Sequence, residues 1–166
     1  LDRCAGISQA GCGARTYQPN SGRVNRKVGE AGYFVDSSAA ISQTACNPGT
    51  YQPNSGQVSC IDADAGYFVD SSAAISQTAC GLGTYQPNSG QVSCIDADAG
   101  YFVDSSAAIS QTACGLGTYQ PNSGQVSCID VDAGYFVDSS AATSQTACSP
   151  GTYQPNPGQV SCIDAD

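Results

Sequence analysis

Residues 46–79 read CNPGTYQPNSGQVSCIDADAGYFVDSSAAISQTA, and residues 80–113 read CGLGTYQPNSGQVSCIDADAGYFVDSSAAISQTA. Only Asn47/Gly81 and Pro48/Leu82 differ, so the chain repeats itself from Cys46 to Cys80, a 34-residue period. The next copy, 114–147, differs from 80–113 only at Ala97/Val131 and Ile109/Thr143. The cysteines keep the same beat: 46, 60, 80, 94, 114, 128, 148 and 162 alternate steps of 14 and 20. Such repetition predicts an array in which each unit leans on its neighbours. Outward from these three repeats lie a divergent basic repeat, 12–45, and partial repeats at 1–11 and 148–166. Leu1-Asp2 aligns with Val35-Asp36, so the 166 residues amount to five periods less one Ala-Gly-Tyr-Phe segment.

Each period divides again. GTYQPNSGQVSCIDADA (49–65) and GYFVDSSAAISQTACGL (66–82) are equal in length, seventeen positions each, and both open Gly-x-aromatic. The cysteine sits three positions later in the second, which reads as drift within a doubled ancestral half-unit. No window has a helical period, and β-branched residues fall in short runs between turn formers. Thr50-Tyr51-Gln52 and Gln57-Val58-Ser59 flank Pro53-Asn54-Ser55-Gly56, which predicts a small hairpin. Tyr67-Phe68-Val69 predicts a second strand, and Asp70-Ser71-Ser72 a turn. Tyr51, Tyr67 and Phe68 are the large side chains of a period, so the expected core is aromatic and thin. The fold expected is a set of small disulfide-rich β repeats with little or no helix. It forms an elongated rod of five 34-residue units, each of two 17-residue half-units. A solenoid of stacked 17-residue coils with Ser and Thr ladders is the competing arrangement, and Pro53 and the shifted cysteine disfavour it.

Composition removes whole classes of function. The chain holds no His, Trp or Met, only 11% charged residues, and a net charge of −9. Without His there is no Ser-His or Cys-His nucleophile pair and no imidazole metal ligand. The acidic balance gives a phosphate backbone nothing to bind, so no nucleic-acid partner is expected. No apolar run approaches the roughly 18 residues of a membrane span. Leu1 in place of an initiator methionine predicts a processed chain.

Ten cysteines with no C-x2-C pair point to disulfides in an oxidising, extracellular or cell-surface location rather than to zinc. The ends help with pairing. Closing each fourteen-step gives 46–60, 80–94, 114–128 and 148–162. Arg26 stands where Cys12 would find its partner, but Cys4 replaces Ser38 of the next repeat, so Cys4–Cys12 completes the set. The rival scheme, 60–80, 94–114 and 128–148, strands Cys46 and Cys162.

In Cys46-x-Pro48-Gly49-Thr50-Tyr51, Ser55-Gly56-Gln57 and Cys60, the chain resembles the ephrin-receptor-like cysteine-rich repeat. It is also similar to the first module of tumour-necrosis-factor-receptor cysteine-rich domains. The resemblance implies elongated extracellular rods of small disulfide-linked β modules. Ile61-Asp62-Ala63-Asp64 follows the first loop, where those families place another cysteine.

Candidate chemistry is sparse. Asp62, Asp64 and Asp70, repeated as Asp96, Asp98, Asp104 and as Asp130, Asp132, Asp138, begin like an oxygen-ligand loop and are candidate calcium ligands. They lack the bidentate Glu that closes such loops, and solvation of a charge-poor surface is the plain alternative. A glycosidase needs two carboxylates in unlike environments, which identical repeats do not supply, so no enzyme is expected. Ser71, Ser72, Ser76 and Thr78 with their copies are candidate O-glycan acceptors, and no Asn-x-Ser/Thr sequon is present.

Near-identical repeats favour a property that every repeat supplies equally: length, stiffness or periodic self-contact. The expected function is a secreted structural subunit of an extracellular filament or surface stalk. A receptor-type or adhesive ligand-binding module of a surface protein is the alternative. All five bases, Arg3, Arg15, Arg23, Arg26 and Lys27, lie in the segment that ends at Lys27, beside one acid, Asp2. Beyond Lys27 come thirteen acids and no base. The expected partner is therefore another copy, joined head to tail through Leu1, Arg3, Arg23 and Arg26 on one side and Ile163, Asp164 and Asp166 on the other.

Overall fold

The computed structural model describes residues 15–20 and 26–166. Among these, regular structure consists of nine antiparallel hairpins of two-residue strands, with no helix. None of the described residues therefore forms a helix long and apolar enough to cross a membrane. In the first full period Thr50–Tyr51 pairs with Ile61–Asp62, Thr50 opposite Asp62. Tyr67–Phe68 then pairs with Thr78–Ala79. One period later Thr84 faces Asp96, and Tyr101 faces Ala113.

Two expectations need correction. The first hairpin returns on Ile61–Asp62, not on Gln57-Val58-Ser59, and Val58 is 41% exposed. The Gln52 side chain explains the wider loop. Its Nε2 donates to the Ser59 carbonyl at 2.8 Å and its Oε1 accepts the Asn54 N–H at 3.1 Å, so it fills and closes the turn. The cysteine has also not drifted. Thr84/Asp96 and Tyr101/Ala113 are one register shifted by seventeen, which makes Ala63 the counterpart of Cys46 and Gln77 the counterpart of Cys60. Each period is thus a half-unit with both cysteines, 46–62, followed by one with neither, 63–79, since Cys80 opens the next.

The described residues fall into two compact units: one reaches Thr78 and takes in Ser89–Ser93, and the other comprises Ala79–Asn88 with Cys94–Asp166. Strand pairs are too short to hold such units, and main-chain bonds between half-units supply the rest. In the first unit the Gly49 N–H donates to Val69 at 2.7 Å, and Gln52 to Ala74 at 3.0 Å. The same unit bonds Val69 to Gln91 at 3.0 Å and Ala73 back to Cys46 at 2.8 Å. In the second unit the pattern recurs from Gly83 to Val103 at 2.8 Å, Gln86 to Ala108 at 3.0 Å, Val103 to Gln125 at 2.9 Å and Ala107 to Cys80 at 2.9 Å. Side chains need not be identical for this register, because it is written in backbone.

The buried side chains are correspondingly small. Cys46, Ala63, Cys80, Ala97, Cys114 and Val131, one per half-unit, are fully covered, with Val69, Val103 and Val137 beside them. Gln52 and its copies are buried as well, satisfied by the loop bonds above. The aromatic core expected from sequence is not what is found: Tyr51, Tyr67 and Phe68 are half-buried. Half-units bonded main chain to main chain leave no room for rings between them, so the rings stay half-buried.

Candidate functional site

The chemistry that sets the half-units apart is the way each closes. The structure joins Cys46 to Cys60, Cys80 to Cys94, Cys114 to Cys128 and Cys148 to Cys162, with Cα–Cα distances of 5.7, 5.7, 5.7 and 5.8 Å. These are relaxed disulfide spans. Cys4 and Cys12, expected to pair with each other, lie outside the described residues. So do Leu1, Arg3 and Arg23, three of the expected assembly residues.

At the corresponding place in the cysteine-free half-units, a carboxylate and an amide clasp each other. The Asp64 N–H donates to Gln77 Oε1 at 2.6 Å, and Gln77 Nε2 donates to Asp64 Oδ2 at 2.7 Å. Asp98 and Gln111 repeat this at 2.6 and 2.7 Å, and Asp132 and Gln145 at 2.8 Å for both bonds. Glu30 and Gln43 do the same in the divergent repeat, at 2.8 and 3.2 Å. Sequence reasoning missed this clasp. Its signal was the seventeen-residue shift, which carries Cys60 onto Gln77.

The halves also differ at one backbone position. Gly56, Gly90, Gly124 and Gly158 hold φ near +70°, at 66, 70, 69 and 69°. Seventeen residues on, the same conformation falls on Ala73, Ala107 and Ala141, at 56, 55 and 56°. This left-handed region is free to glycine and costs an alanine about 1–2 kcal/mol. The conformation aims a carbonyl at a glycine two half-units back. A Cβ on Gly49 would lie 2.4 Å from the Gly90 oxygen, and one on Gly83 2.3 Å from that of Gly124.

Among the described residues no three Asp, Glu, Cys or His side chains gather as metal ligands, and the candidate calcium ligands Asp62, Asp64, Asp70, Asp96, Asp98, Asp104, Asp130, Asp132 and Asp138 are not brought together in such a group. The clasp engages the Asp64, Asp98 and Asp132 carboxylates with glutamine amides. Ser71, Ser72, Ser76 and Thr78 are all exposed, as a glycan acceptor must be. Ile163, Asp164 and Asp166 are exposed too. Arg26 is exposed and donates from Nη2 to the Ser38 carbonyl of its own chain.

Comparison with known proteins agrees with this architecture. No curated protein matches the chain. The family described as Tyrosine-protein kinase ephrin type A/B receptor-like matches it three times, over residues 32–80, 66–114 and 100–148. Each match spans a stapled half-unit, the whole cysteine-free half-unit after it and most of the one before it, and together they cover well over half of the chain. With its hairpins, its fourteen-step disulfides and these three overlapping matches, the chain belongs to the ephrin-receptor-like cysteine-rich family.

Proposed function

We propose that the chain is a non-catalytic extracellular structural protein, whose copies join head to tail into a filament or surface stalk. The observation that carries this reading is the sameness of the 34-residue periods. The bonds from Gly83 to Val103 and from Gly117 to Val137 measure 2.8 and 2.9 Å, so the docking of one period repeats in the next. An oxidising compartment follows from four disulfides in so small a core. Charge gives the joint its polarity: the basic segment up to Lys27, with Arg3, Arg23 and Arg26, meets the acidic end with Asp164 and Asp166, and Leu1 meets Ile163. Such ion pairs are screened by salt and set direction more than strength. Sugars on Ser71, Ser72, Ser76 and Thr78 would face solvent.

Negative-stain microscopy of purified protein at low salt tests the proposal. Polymers are expected, and replacing Arg3, Arg23 and Arg26 with Glu should shorten them. Particles of single-chain size at every concentration would reject the filament. A receptor-type module, the reading favoured by the family, would instead stay monomeric until a ligand is supplied.

A further inference from the structure

We propose a further function that does not depend on assembly: the chain is an extensible, load-bearing tether. Its clasped half-units yield under tension, and its stapled half-units set the limit of extension. Two independent observations mark the clasped half as the weaker one. Residues 46–62 are closed by the covalent bond between Cys46 and Cys60, whereas the clasped half that follows is closed by two exposed hydrogen bonds between Asp64 and Gln77. Water competes for exposed hydrogen bonds, so they open and re-form, whereas the disulfide persists. The left-handed turn residue, moreover, is Gly56 in the stapled half and Ala73 in the clasped half. Backbone strain is stored where the staple is missing. The alternation continues through Asp98–Gln111 with Ala107 and Asp132–Gln145 with Ala141, so weak and locked half-units alternate along the chain.

Connectivity fixes the reach. Between Cys60 and Cys80 twenty residues are free to straighten, about 70 Å of chain. The fourteen steps from Cys46 to Cys60 stay short-circuited at a Cα–Cα distance of 5.7 Å. Opening breaks clasps and backbone docking bonds without cleaving any covalent bond, so the chain refolds when the load is removed.

Single-molecule pulling of the full oxidised chain between terminal handles tests this. Extension should proceed reversibly to a limit of about 70 Å per period, and a reductant should add about 40 Å per cysteine pair. Replacing Gln77, Gln111 and Gln145 with Ala should lower the yield force, and replacing Ala73, Ala107 and Ala141 with Gly should raise it. A third variant, Ala63→Cys with Gln77→Cys, puts a staple in one clasped half-unit. Once peptide mapping has verified the cross-link, that period's extension should shrink by about 40 Å. Yield forces unchanged in both triple variants would overturn the proposal, and so would full extension of the cross-linked period.

Discussion

Gly83 and Gly81 are two positions apart, and they separate the demands of stacking from those of the sequence repeat. A Cβ on Gly83 would lie 2.3 Å from the Gly124 carbonyl oxygen, at φ +78°, whereas one on Gly81 meets nothing within 4 Å. Gly83→Ala is therefore expected to cost about 2–4 kcal/mol, through backbone strain plus displacement of the neighbouring chain. Gly81→Ala should stay within about 0.5 kcal/mol, as a surface change does. Melting midpoints of the two variants check this, and equal losses would mean that the close approach does not exist. The sequence marks Gly83 as periodic, but nothing in its residue type separates a glycine under a carbonyl from one in open space. Gln52 shows the same limit. Its residue type gives no sign of burial, yet it is buried, because its amide bonds the loop's own main chain.

Hairpins and staples were more legible, for a physical reason. Cysteine spacing is a geometric constraint that composition cannot blur, and the fourteen-step pairs are those the structure joins. The return strand was misread because Val58 looks like a strand residue. In fact Cys60 is held against Cys46, so the chain pairs with Thr50–Tyr51 only once past the disulfide, at Ile61–Asp62. Staple and clasp should differ in strength accordingly. Removing one disulfide, with Cys80→Ala and Cys94→Ala together, frees a 15-residue loop in the unfolded chain and should cost about 3 kcal/mol. Gln111→Ala removes two exposed hydrogen bonds, 2.6 and 2.7 Å long, and should cost about 1–2 kcal/mol. Urea unfolding of the two proteins ranks them, and a clasp variant as damaged as the disulfide variant would refute the ordering.

For the whole molecule, the spacing that matters is the full step from Cys46 to Cys80, even though the backbone register recurs at half that step. Main-chain bonds see no difference between half-units, whereas the cysteines do. Excising residues 114–147 from the second unit joins Ala113 to Cys148 and brings Gln154 to the place of Gln120, whose carbonyl accepts the Gly100 N–H at 2.7 Å. Cys80–Cys94 and Cys148–Cys162 survive intact, and the shortened protein should fold with no free thiol. Excising 100–116 removes half as much chain and preserves the backbone register, joining Ala99 to Gly117. It deletes Cys114, however, and slides Ala97 into its place, so Cys128 has nothing to pair with. One reactive thiol per chain and a lower melting temperature are then expected, although fewer residues were lost. Thiol titration in denaturant without reductant distinguishes the two deletions. If the full-period excision released a thiol, or the half-period excision released none, cysteine pairing would not follow the half-unit register. In a quasi-one-dimensional array each half-unit contributes through its own closure and its docking to the next. The smaller deletion should therefore be the more damaging, because it removes one end of a staple.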